Sequence, residues 1–144
     1  GGAINWAPDA LNGAVNNSTF INNTGNDGGT TYWEGKNGRM SNCDFINNIG
    51  TNGGAINWQK AYGLVSDCNF INNKATGNGG AVYWEGSNGT ENNCNFTNLC
   101  TRQFHIHSGL RVLYDLALLI NGKLISCHQS LGGATRNNIC TIFN

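Results

Sequence analysis

The sequence predicts an all-β fold, a parallel β-helix (solenoid) of about four coils of 25–27 residues, and three observations carry that prediction. A glycine pair opens a similar segment at Gly1, Gly28, Gly53 and Gly79, at intervals of 27, 25 and 26 residues. A second segment returns in step with the first, with Phe20, Phe45, Phe70 and Phe96 spaced 25, 25 and 26 apart. Within each repeat apolar and polar residues alternate, which is the period of a strand and not of a helix. A unit of ~25 residues made of short strands cannot bury its own apolar face, so it must stack on its neighbours.

Each element of the coil follows in order. The first strand is "AINW", "TTYW", "AINW" and "AVYW", where Ile4 and Trp6 share one face and Asn5 takes the other. Stacking then puts Ile4, Thr31, Ile56 and Val82 in one inward ladder and Trp6, Trp33, Trp58 and Trp84 in another. The loop after the Trp absorbs length differences, since "APDALNG" is longer than "QKAYG". The next strand, seen in "GLVSDCNF", sends Val65 inward and Leu64 and Ser66 outward. Then come "STFINN", "CDFINN", "CNFINN" and "CNFTNL", in which the four Phe residues form a third inward ladder. The asparagine pairs ending in Asn23, Asn48 and Asn73 mark a turn, because Asn tolerates left-handed backbone geometry, and identical amides at strand spacing bond from coil to coil.

Cys43, Cys68 and Cys94 take one position in three adjacent coils, with Ser18 in the first. Parallel side chains ~4.8 Å apart are too far apart for the usual disulfide Cβ separation, and a straight row does not wrap a tetrahedral metal. Buried thiols filling a narrow interior slot are therefore expected.

Composition excludes several function classes. Charged residues make up 11% of the 144-residue chain and the formal net charge is +0. That argues against attraction to nucleic acid or to an anionic membrane surface. No apolar run is long enough to span a bilayer. Nothing points to a cofactor. The chain begins inside a repeat without an initiating Met, so it is expected to be a piece of a longer protein whose export signal and anchor lie elsewhere.

With these residues in view, "GGAI" at Gly1 and Gly53, "GGAV" at Gly79 and "FINN" at Phe20, Phe45 and Phe70 resemble the GGAI and FxxN signatures of the polymorphic outer membrane protein repeat. They also resemble the coils of adhesin-like surface proteins of methanogenic archaea. The resemblance covers residues 1–98 in four copies. It implies a right-handed β-helix in an exported, extracellular or cell-surface protein that contacts host or neighbouring-cell surface glycans or proteins without catalysis. The copies depart from the pattern at "GGTT", at Leu99 in place of the second Asn, and at Glu91, where Met40 and Val65 mark an inward position.

Candidate site residues come from the outward positions. Asn5, Tyr32, Asn57 and Tyr83 alternate at one place in the coil, which predicts an exposed polar and aromatic strip suited to glycans or protein partners. Glu34 and Glu85 lie two coils apart, so their backbones are expected at roughly 10 Å. That spacing suits an inverting glycosidase, but the coil between them offers Gln59 and no repeated base supports them. A polysaccharide lyase or hydrolase is thus the alternative function, and a passive surface spacer is another.

The pattern breaks after residue 98. Residues 99–144 are expected to form a non-repeat tail, either capping, disordered or produced by a frame shift. "SGLRVLYDLALLINGKLISC" reads as a short helix capped by Ser108 or as two strands joined by "NG". "HIH" at His105 and His107 puts two imidazoles on one strand face, with Cys100, Cys127 or His128 as conceivable third ligands, but no spacing signature fixes them and no metal is expected.

Overall fold

A computed structural model of the chain describes residues 1–97 in full and, beyond them, the backbone of five further strands. The fold is a parallel β-solenoid of about four coils, and no helix occurs among the described residues. The first coil holds β1 (Ile4–Trp6), β2 (Ala14–Asn16) and β3 (Thr19–Ile21). The second holds β4 (Thr31–Trp33), β5 (Arg39–Ser41), β6 (Asp44–Ile46) and β7 (Ile49–Gly50). The third repeats this with β8 (Ile56–Trp58), β9 (Leu64–Ser66), β10 (Asn69–Ile71) and β11 (Lys74–Ala75). The fourth has β12 (Val82–Trp84), β13 (Thr90–Asn92) and β14 (Asn95–Thr97).

Each strand pairs in parallel with its counterpart one coil away, so three long sheets run along the solenoid. The register puts like on like. Ile4 faces Thr31, Thr31 faces Ile56 and Ile56 faces Val82, while the four tryptophans align beside them. Phe20, Phe45, Phe70 and Phe96 align in the same way. The indoles stack at centroid separations of 4.4, 4.4 and 4.9 Å, and the phenyl rings at 5.1, 4.9 and 4.7 Å. Offset ring pairs of this kind add about 0.5–1.5 kcal/mol each beyond their buried area.

The corners explain the asparagines. Non-glycine residues with positive φ occur at three places in each of the first three coils, among them Asn22, Asn47 and Asn72 at 54–57°. The paired asparagines therefore divide the work: the first takes the left-handed turn and the second turns inward. Asn48 and Asn73 are fully buried. The amide oxygen of Asn48 accepts from the Asn23 backbone N–H at 2.9 Å and from its side-chain amide at 3.0 Å. Asn73 Oδ1 accepts likewise from Asn48, at 3.0 and 2.9 Å. The remaining amide hydrogens go to the carbonyls of Phe20 and Phe45. The side-chain oxygen and nitrogen of both buried asparagines, Asn48 and Asn73, are thus engaged, as burial demands.

Two glycine ladders answer to close approach. A Cβ on Gly29 would lie 1.8 Å from the Gly54 carbonyl oxygen, and one on Gly54 would lie 2.0 Å from that of Gly80. The second glycine of each pair is thus where backbones of adjacent coils touch. At Gly13, Gly38, Gly63 and Gly89 a Cβ would strike the indole of the same coil at 2.0–2.3 Å. Large Trp and absent side chain form one packing unit.

The cysteine row is as expected, with Cys43, Cys68 and Cys94 unpaired and buried. Each thiol donates to the carbonyl two residues earlier, at 3.2, 3.1 and 3.4 Å. The hydrogen bond with Cys68, together with burial, pushes the Cys43 thiol far above its ordinary range, so that thiol is chemically quiet. Glu91 does occupy the inward row, in register with Val65 and 1% exposed.

The break expected at residue 98 is not seen in the strand pairing. β15 (Phe104–Ile106), β16 (Arg111–Val112) and β17 (Leu116–Ile120) pair in parallel with β12, β13 and β14, carrying the coil pattern one step further. Backbone pairing tolerates a sequence that has lost the ladder residues, so composition alone does not reveal it. β18 (Lys123–Gln129) then pairs antiparallel with β17 on either side of "NG", the two-strand reading of that segment. β19 (Asn138–Phe143) pairs antiparallel with β18. His107 lies outside the described residues.

Candidate functional site

The outward face of the sheet formed by β1, β4, β8 and β12 carries the predicted strip. Its register runs Asn5, Tyr32, Asn57 and Tyr83, with His105 at the next position along β15. The alternation that turns Trp inward puts Asn5, Tyr32, Asn57 and Tyr83 on the opposite face. Two positions further along each strand direction stand Glu34, Gln59 and Glu85, whose backbone N–H groups bond to Trp6, Trp33 and Trp58 of the preceding coil at 3.0, 2.9 and 2.8 Å.

Side chains on this face couple in pairs within a coil. The Tyr32 hydroxyl donates to Glu34 Oε1 at 3.3 Å, and the Tyr83 hydroxyl donates to Glu85 Oε1. Between them the Gln59 amide donates to Asn57 Oδ1. Burial and then the neighbouring Glu34 charge raise the Tyr32 phenol above its ordinary value, while the hydrogen bond to Glu85 pushes Tyr83 up to about 12. Both phenols therefore remain protonated donors across the physiological range.

One member departs from the expected exposure. Asn57 is 2% exposed, whereas Tyr32 and Tyr83 are half-buried and Asn5 is open. The cause is size: two tyrosines one coil away on either side, with Gln59 alongside, close over the shorter amide. The strip is thus two aromatic ridges, roughly 10 Å apart by twice the strand spacing, over an amide floor. Sequence alternation alone did not weigh the size difference between neighbouring coils.

Glu34 and Glu85 flank that floor on an open sheet, each held by a tyrosine. Such an arrangement offers phenol faces, phenol oxygens that accept and carboxylate acceptors, groups that hold a hydroxyl-rich ring. Among the described residues no group of three or more His, Cys, Asp or Glu side chains is placed to hold a metal ion. No helix among the described residues is long and apolar enough to cross a membrane.

A second concave surface went unnoticed in the sequence. It lies at the corner before the strands β5, β9 and β13, where Asn12, Asn37, Tyr62 and Asn88 all adopt positive φ. Three asparagines and one tyrosine at a single left-handed position were the available signal. Comparison of the chain with protein-family models, with curated proteins and with solved structures found no match.

Proposed function

We propose that the chain is a non-catalytic coil module of an exported, adhesin-like cell-surface protein, whose tyrosine ridges dock glycans or proteins on a host or neighbouring cell. The observation that carries this reading is the pair of Tyr–Glu couples, Tyr32 with Glu34 and Tyr83 with Glu85, set two coils apart over Asn57. A flat, repetitive scaffold holds each ring by its hydroxyl, so little side-chain entropy is lost when a partner stacks on it. The two carboxylates favour neutral, hydroxyl-rich ligands over anionic ones. The resemblance of the GGAI and FINN copies to surface-protein repeats supports the same setting, and the sealed thiol row suits an exported chain.

The test is a binding screen of the full chain against neutral polysaccharides and whole cells, beside Tyr32→Ala with Tyr83→Ala. Circular dichroism shows whether both proteins keep their β structure. Loss of binding by about tenfold or more is expected from the removal of two aromatic anchors. Unchanged binding by the folded double variant overturns the reading, and absence of any binding favours a passive spacer.

A further inference from the structure

We propose that the groove at the corner before β5, β9 and β13 is a second binding site, specific for an acidic polysaccharide. The groove has a volume of about 730 Å³, and its lining includes Asn37, Arg39, Tyr62, Leu64, Asn88 and Thr90. It belongs to a different sheet from the tyrosine strip, and it stands independently of the strip's role.

Three features converge there. The first is Tyr62, which occupies the left-handed corner position, φ 62°, that Asn12, Asn37 and Asn88 take in the other coils. A bulky side chain in this region is an outlier costing on the order of 1–2 kcal/mol. Packing does not offset that cost, because Tyr62 is 60% exposed. Strain held at an exposed aromatic residue is what a ligand-facing position shows. The second is Arg39, exposed on β5, which makes no ion pair or side-chain hydrogen bond with another described residue. No carboxylate lines the groove. Lys36 and Lys60, also exposed, lie one residue before Asn37 and two before Tyr62. The third is the broken amide chain. Asn37 donates to Asn12 Oδ1 at 3.3 Å, but Tyr62 interrupts the series before Asn88, whose side chain has no hydrogen-bond partner among the described residues.

The chemistry follows from these groups. A phenol face stacks on the apolar face of a pyranose ring, the guanidinium binds a carboxylate or sulfate in bidentate fashion, and the Asn88 amide serves hydroxyls. One arginine and two nearby lysines are too few for the extended phosphate neutralisation that nucleic acid requires. The ligand is therefore an acidic sugar polymer, of which the groove engages one or a few charges at a time.

The experiment measures retention of the full chain on immobilised polygalacturonate, dextran sulfate, neutral dextran and a thymidine oligonucleotide. The variants are Arg39→Gln, Tyr62→Asn and, as a control at the other face, Tyr32→Ala with Tyr83→Ala. Tyr62→Asn installs the residue used by the other coils, so its fold is secure. The expected result is retention on polygalacturonate or dextran sulfate but not on neutral dextran, weakened about tenfold by either groove variant and left unchanged by the strip variant. The acidic polymer held more tightly identifies carboxylate or sulfate as the preferred group. Absence of retention on both acidic polymers overturns the proposal. So does retention insensitive to Tyr62→Asn, retention lost equally in the strip variant, or tighter binding of the oligonucleotide.

Discussion

Two corners of the same coil begin from the same residue type and end in opposite roles. At the corner after the Phe strand, Asn23, Asn48 and Asn73 turn inward, and their amides bond from coil to coil, with the side-chain oxygen and nitrogen of buried Asn48 and Asn73 all engaged. At the corner before β5, β9 and β13, the backbone is paired just as regularly, with Asn12, Asn37 and Tyr62 N–H groups bonded to Lys36, Ala61 and Ser87. There the side chains point to solvent and the amide chain is broken. Asparagine at a turn reports only a permitted φ. Whether it builds the fold or leaves room for a ligand depends on which side of the wall its amide faces.

Breaking the closed corner gives the largest effect. Asn48→Ala removes the acceptor of the Asn23 N–H, which is left stranded, and one donor to the Phe20 carbonyl. A loss of about 3–4 kcal/mol is expected in urea denaturation. A loss under about 1 kcal/mol means the ladder is dispensable.

Glu91 sharpens the rule that inward positions must be satisfied or apolar. Burial raises its carboxyl to about 7, with hydrogen bonds from Cys94 opposing, and Oε2 has no partner. The folded chain therefore keeps a proton that the unfolded chain releases near its ordinary 4.5. The stability this proton confers is full below about pH 4.5 and is lost as pH rises through about 7, by up to about 3 kcal/mol. Glu91→Met, which copies the second coil, is expected to abolish that slope and to be the more stable protein at pH 8. A slope that survives the substitution places its origin elsewhere.

The open corner has an inward side as well. Gly63 directly follows Tyr62, and a Cβ there would lie 2.3 Å from Trp58 Cε2. Gly63→Ala is expected to cost about 2–3 kcal/mol by overpacking, visible as a lower melting temperature. A neutral outcome requires that the indole stack shift freely.

How much of this was legible in the sequence follows from what repeats. Ladder positions recur in chemical type, so Trp6 to Trp84, Phe20 to Phe96 and the Cys row were readable from spacing. The indole-clearing glycines at Gly38, Gly63 and Gly89 also recur, five residues after each Trp, but their meaning depends on the distance across the coil. Asn57 was placed on the right face but given the wrong exposure, because shielding is set by neighbours 25 or 26 residues away. Tyr62 was hidden because backbone φ is not written in residue type when the residue is not Asn or Gly. Pairing of β15, β16 and β17 was hidden because backbone hydrogen bonds do not require the ladder residues.

Tyr62→Asn carries the smallest expected effect and tests the contrast between the corners most directly. If the open corner holds strain for a ligand and not for the fold, equilibrium urea unfolding shows Tyr62→Asn more stable by about 1 kcal/mol, with an unchanged denaturant slope. A variant that is less stable than the parent contradicts this, because Tyr62 is then a packing residue and the two corners serve the same purpose.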